Sequence, residues 1–201
     1  MRKATFDIED GLRNQGYKYI VGADEVGRGP LAGPVVAAAV YIPEGFYTKD
    51  INDSKKVSYK KRELLSQEIK ANCSFAIHEI PNEVIDQINI LEATKLAISY
   101  AVRDLKDADF AIIDGKFRFD LIPIPHRCII GGDSLSVSIA AASIVAKVHR
   151  DYLMEALHVL YPVYNWKQNK GYGTVEHMEA IQKYGVTKYH RKTFGGVREY
   201  V

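Results

Sequence analysis

Cysteine is almost missing from this chain: Cys73 and Cys128 are the only two among 201 residues. That excludes a disulfide framework and a cysteine-rich zinc site, and makes buried, reduced thiols in a cytoplasmic protein the default. A long apolar run is missing as well. The opening Met1-Arg-Lys-Ala-Thr-Phe-Asp-Ile-Glu-Asp10 alternates charge with apolar groups, which excludes a secretory leader or membrane span and leaves a cytoplasmic chain with no membrane partner as the expectation. Nor is there a strong excess of one charge. A net charge of +2 falls well short of a domain that announces nucleic acid by composition, so such a partner has to be read from local clusters. Repeats and low-complexity tracts are also lacking. What remains is a single domain of 201 residues, large enough to bury a full core.

Hydrophobic periodicity alternates strands and helices, an α/β pattern. Residues 19–23 and 33–42 are apolar and β-rich and flank a loop with Pro30 and Pro34, so they read as a hairpin. Residues 58–71 carry Leu64, Leu65 and Ile69 among charges, the profile of a surface helix, and 74–80 read as a strand. Asn89-Ile-Leu-Glu92 has the form of a capping box, opening a helix with Leu91, Ile98, Ala101 and Leu105 on one face. Asp109-Phe-Ala-Ile-Ile-Asp114 is a strand covered on both faces that ends in a carboxylate. A short strand at 126–130 precedes a long helix over about 135–160. Beyond Pro162 the chain turns aromatic and basic, with a shorter helix near 175–184.

The most informative stretch is Tyr19-Ile-Val-Gly-Ala-Asp24-Glu25-Val-Gly27-Arg28-Gly29-Pro30. Acidic residues are depleted from strands and rarely buried unless paired or metal-bound, so two in a row at a strand end need a reason. A turn supplies one: an Asx-turn at Asp24, Glu25 in water, and positive φ at the glycines. A metal site supplies another. Ligand crevices in open α/β sheets lie at the carboxyl ends of strands, where Asp24, Glu25 and Asp114 would meet if their strands are neighbours. Asp133, between a strand and the long helix, would make a fourth acid, although alone it reads first as a helix N-cap. Clustered carboxylates repel unless cations neutralise them, and oxygen ligands without His or Cys select Mg²⁺ or Mn²⁺ over zinc. Two such ions can drive in-line cleavage of a phosphodiester. Lys55 and Lys56 place cations in a loop, Tyr172 stands between glycines beside Lys170, and His190-Arg191-Lys192-Thr193-Phe194 is basic and aromatic. Phosphate contacts with a stacking platform suit nucleic acid, while solvated charge, an ordinary turn and core packing account for each feature singly. Lys147, Arg150 and Asp151 on the long helix fit a solvated face as well as a substrate contact.

Together, Asp24-Glu25-Val-Gly27-Arg28-Gly29-Pro-Leu-Ala-Gly-Pro34, Asn52-Asp-Ser-Lys55-Lys56, Ile113-Asp114-Gly115, Gly132-Asp133-Ser134, the run Ser138 to Asp151, and Asn169-Lys-Gly-Tyr172-Gly-Thr174 resemble the bacterial ribonucleases HII, the type 2 ribonucleases H, in order and over nearly the whole chain. The resemblance implies a ribonuclease H-like mixed β-sheet flanked by helices, forming one catalytic domain over 1–201 with a small helical, substrate-binding C-terminal extension at about 162–201. It implies a monomeric endonuclease of ribonucleotide excision repair that cuts RNA/DNA hybrids and DNA duplexes containing single ribonucleotides. Asp24, Glu25, Asp114 and Asp133 would hold two Mg²⁺ or Mn²⁺ ions. Gly27, Arg28 and Gly29 would read the ribose 2′-hydroxyl, Tyr172 would pack on the deoxyribose that follows, and Lys55 and Lys56 would contact substrate. Gly132 departs from a lysine common in the family, which puts a local phosphate contact in doubt. A ribonuclease HIII would carry a long N-terminal domain for which the residues before Asp24 leave no room. A hybrid-binding module without catalysis would not need all four acids. A dinucleotide enzyme would put Asp24 and Glu25 against a pyrophosphate and lacks the helix required after the glycines.

Overall fold

A computed structural model describes residues 4–46, 50–51 and 58–201. In chain order it contains α1 (Asp7–Arg13), β1 (Ile20–Val26), β2 (Val35–Tyr41), α2 (Tyr59–Asn72), β3 (Ser74–Ile80), α3 (Asn82–Asp104), β4 (Phe110–Asp114), β5 (His126–Ile129), α4 (Val137–Leu160), α5 (Trp166–Asn169) and α6 (Val175–Tyr184). The sheet order is β3-β2-β1-β4-β5. The first three strands form an antiparallel meander, and β4 and β5 join β1 in parallel. The sheet is therefore mixed, and the expected hairpin is β1 with β2.

Side-chain alternation divides the core into two layers. Val21, Ala23, Val35, Ala37 and Ala39 face α3, with Ile98 and Val102 packed on them. Val36, Ala38 and Val40 face α4 and α2, against Ala140, Ala141, Ile144 and Leu65. Helix α4 crosses β1 at very close range: a Cβ at Gly22 would lie 2.2 Å from the Ser138 carbonyl carbon. Glycine is required there, and the small residues Ala140 to Ser143 on the helix make the same approach possible.

Three elements differ from the expected pattern. The turn of α1 was not anticipated; its buried Glu9 accepts from Ser136 and Ser138 at the start of α4. Helix α3 begins at Asn82 rather than Asn89, because Asn89 is a kink inside it at φ 66°. The capping signal was real all the same. Asn89 Oδ1 accepts from the Leu91 and Glu92 amides and restarts the helix, while Glu92 pairs with Lys95. The N-cap of α4 is Ser136, which accepts from the Ile139 amide, and not Asp133.

The C-terminal residues have a small core of their own, in which Tyr164, Trp166, Ile181 and Val197 join Leu31, Ala32 and Met154. Leu31 and Ala32 belong to the loop between β1 and β2, so this segment is fastened to the loop. Both cysteines are free. Among the described residues no helix is long and apolar enough to cross a membrane.

Candidate active site

The parallel pairing of β1 with β4 sets Ala23 opposite Ile113, so Asp24 and Asp114 are next in register at the carboxyl ends of adjacent strands. Both follow the alternation that points toward α4, since Gly22 lies under that helix and Ile112 packs on Ile139. Asp24 is only 6% exposed. Its carboxyl is held well above the usual carboxylate range, chiefly by burial and then by the charges of Glu25 and Asp114. The Ser143 hydroxyl and the Glu25 amide pull the other way by hydrogen-bonding to it, the amide at 2.7 Å from Oδ1. Ser143 reaches Asp24 because α4 lies so close to β1. Nothing in the spacing of the Ala140–Ser143 run singles out this hydroxyl.

Glu25 follows on the opposite alternation of β1. Burial is also the main reason its carboxyl is raised; Asp114 adds to the rise and Arg28 opposes it. Arg28 Nη1 stands 3.4 Å from Glu25 Oε1, with its guanidinium 4.9 Å from the centre of the Phe117 ring. Glu25 Oε2 is buried with no partner among the described residues. Asp133 sits in a 3₁₀ turn, Gly132–Ser134, after β5. The Gly132 amide donates to Asp114 Oδ1 at 2.7 Å, which ties the Asp133 turn to the end of β4. A Cβ at Gly132 would stand 2.6 Å from Ile139 Cδ1 and 3.5 Å from Asp114 Oδ1. The departure from lysine at this position thus accompanies a close backbone contact with an acidic residue.

The Gly27-Arg28-Gly29 loop adjoins this acidic edge. Gly27 has φ 94°, and a Cβ there would lie 2.2 Å from Arg150 Nε. Gly29 faces Tyr172, whose ring Cε1 would be 3.3 Å from an added Cβ. The Leu31 amide donates to the Gly171 carbonyl at 2.7 Å, which joins the two loops. Tyr172 is 46% exposed, so it is neither core packing nor a free turn residue but a ring laid beside the glycine loop. Beneath it, His177 Nδ1 is 2.9 Å from the Tyr172 carbonyl, and its Nε2 accepts from Trp166 Nε1 at 3.0 Å and lies 3.2 Å from His190 Nε2. Burial holds both imidazoles below their ordinary range, His190 down to about 4.

Asp24, Glu25, Asp114, Asp133, the 27–29 loop and Tyr172 therefore gather along one edge. Lys55 and Lys56 lie outside the described residues. The two readings offered for Arg150 and Asp151 both give way to burial: Arg150 is fully enclosed, and Asp151 pairs with Lys147 at 2.6 Å. Arg191, in the basic and aromatic segment 190–194, is fully buried too.

Among the described residues, no three Asp, Glu, His or Cys side chains stand close enough to hold an ion as they are. The donor chemistry nonetheless fits a hard divalent cation. The four acids offer carboxylate oxygen alone, Asp24, buried, and Glu25, mostly buried, stand at raised pKa, and one Glu25 oxygen has no partner among the described residues.

A family model described as Ribonuclease HII matches residues 21–197. The Ribonuclease HII of Acholeplasma laidlawii (strain PG-8A) is 52% identical over 192 residues, covering 94% of this chain and 94% of that one. The crystal structure of ribonuclease H2 from Pyrococcus horikoshii OT3 shares the fold with a TM-score of 0.76 at 23% identity, over 91% of this chain and 97% of that one. Bst-RNase HIII in complex with Mn²⁺ shares it with a TM-score of 0.72 at 21% identity, over 90% and 68%.

Proposed function

The chain belongs to the ribonuclease HII family of type 2 ribonuclease H endonucleases, and from that premise we propose that it is a divalent-metal-dependent enzyme that cuts the RNA strand of RNA/DNA hybrids and incises duplex DNA 5′ of single embedded ribonucleotides. The observation that carries this reading is the register that sets Asp24 beside Asp114, with the Asp133 turn bonded to Asp114 and the Gly27–Gly29 loop and Tyr172 along the same edge. A likeness to a Mn²⁺-bound relative supports the metal.

Asp24, Glu25, Asp114 and Asp133 would hold two Mg²⁺ or Mn²⁺ ions. When bound, such ions activate a water for in-line attack on phosphorus and stabilise the departing oxygen. The chain's own groups prepare that arrangement. The Glu25 amide and Ser143 hydroxyl orient Asp24, and the Gly132 amide orients Asp114 through Oδ1. Cleavage of the P–O3′ bond by water leaves a 3′-hydroxyl and a 5′-phosphate. The Gly27, Arg28 and Gly29 backbone would read the 2′-hydroxyl and Tyr172 would pack on the next sugar, with 162–201 as the substrate-binding extension and Lys55 and Lys56 on phosphates. That substrate range is the one ribonucleotide excision repair requires. Cleavage of duplexes with one, four and many ribonucleotides, under Mg²⁺ and Mn²⁺ separately, tests the assignment: incision 5′ of a lone ribonucleotide supports it, and no incision of any of the three contradicts it.

A further inference from the structure

Among the described residues no carboxylate lies within bonding distance of the two fully buried arginines, yet neither lacks a partner. Arg191 donates through Nε to the Gly33 carbonyl at 3.0 Å, through Nη1 to Arg28 at 2.9 Å and through Nη2 to Gly27 at 2.6 Å. Arg150 donates through Nε to Pro34 at 3.0 Å, through Nη1 to Lys170 at 2.9 Å and through Nη2 to Ala32 at 3.1 Å. The Arg191 amide takes the Leu31 carbonyl as well, at 2.8 Å. Burying a cation is costly unless it is fully hydrogen-bonded, and an apolar side chain would fill the same space without that cost. What the guanidinium adds is a rigid fork that fixes the positions of oxygens.

All six acceptors lie in the 27–34 loop or at Lys170, two residues before Tyr172, and none lies within a strand of the sheet. With the carbonyls of Gly27, Arg28, Leu31, Ala32, Gly33 and Pro34 drawn inward, the amides of Arg28 and Gly29 donate to no group among the described residues, and both residues are exposed. We infer that Arg191 and Arg150 are positioning residues for the ribose-reading loop, holding its carbonyls inward so that the Arg28 and Gly29 amides and the Tyr172 ring meet the substrate in one fixed arrangement. This rests on the reading of that loop given above.

The test compares wild type, Arg191→Lys and Arg150→Lys for binding, in chelator, to a duplex with one ribonucleotide and to the all-DNA duplex of the same sequence, with melting temperature as a second readout. Lysine keeps the charge but loses the fork. The inference expects the preference for the ribonucleotide duplex to fall about tenfold, the scale of a lost or misplaced hydrogen bond at a recognition site, in a variant that still melts cooperatively. A lower melting temperature with the wild-type preference retained would overturn it, because a purely structural staple weakens both duplexes together. If Arg191→Lys does not fold, Arg150→Lys is read by the same criteria; failure of both to fold assigns the pair to the fold itself and overturns the inference. A wild-type protein without any ribonucleotide preference would instead refute ribose reading by the loop, and this inference with it.

Discussion

The two halves of the candidate site are built on opposite terms. At the carboxyl ends of β1 and β4 carboxylates crowd together: Asp24, buried, and Glu25, mostly buried, are held at raised pKa, and Glu25 Oε2 has no partner among the described residues. In the C-terminal extension no buried side-chain nitrogen or oxygen among the described residues lacks a hydrogen-bond partner. Trp166, His177, His190 and Thr187 form one buried hydrogen-bonded chain that ends on the Tyr172 carbonyl. Unmet carboxylates can accept a cation and change state during a reaction, whereas a satisfied network holds a ring still. The proposed function places the chemistry in the first region and the aiming in the second.

The sharpest way to separate the halves is to remove charge from the first. Asp24→Asn and Asp114→Asn should each lower turnover on every substrate by several kcal/mol of transition-state stabilisation, on the order of a thousandfold, while binding of hybrid largely survives. Single-turnover assays at saturating Mg²⁺ check this, and wild-type rates from either variant would remove those residues from the chemistry. Tyr172→Ala strikes the other half. Loss of an aromatic platform costs about 1–3 kcal/mol, roughly ten- to a hundredfold, and should fall hardest on a duplex with a single ribonucleotide, where a deoxyribose follows every ribose. An equal loss on long hybrids would make Tyr172 a general support.

Smaller effects are expected in stability. A divalent ion that binds only the folded arrangement should raise the melting temperature, by about 2–4 °C for each kcal/mol of linked binding. Asp133→Asn should shrink that rise; a wild-type response would leave Asp133 outside the ion site.

The smallest effect has opposite sign in the two regions. In chelator, Asp24 binds its proton more tightly folded than unfolded, so its contribution grows as pH falls through its raised folded value and is lost as pH rises. His190, lowered to about 4, binds its proton less tightly when folded, so its contribution is present above the unfolded value of about 6.5 and is lost as pH falls from there toward 4. Melting curves between pH 4 and 7 should show Asp24→Asn steepening the acid loss and His190→Gln flattening it. Parallel curves for the two variants would erase the contrast.

Much of the acidic half could be read in advance, because strand ends carry local signals. Apolar runs closed by Asp24 and Asp114 mark buried strands that end in a carboxylate, and the glycines of 27–29 mark a special loop. The fastening of the other half could not. Arginine is a surface residue by default, and only its place on the buried stripe of α4 with Ser143, Ala146 and Met154 hinted that Arg150 is enclosed. Arg191 gave no periodic signal, since its partners are carbonyls about 160 residues earlier. Asn89 shows a correct local signal with the wrong scope: it caps a helix, but one already begun two turns before.

The most direct test is cleavage of an end-labelled DNA duplex with one ribonucleotide, by wild type and by Asp114→Asn, in Mg²⁺ and in chelator. The account predicts incision 5′ of the ribonucleotide by wild type in Mg²⁺, with 3′-hydroxyl and 5′-phosphate ends, and none under the other three conditions. Incision in chelator, or undiminished incision by Asp114→Asn, would contradict it.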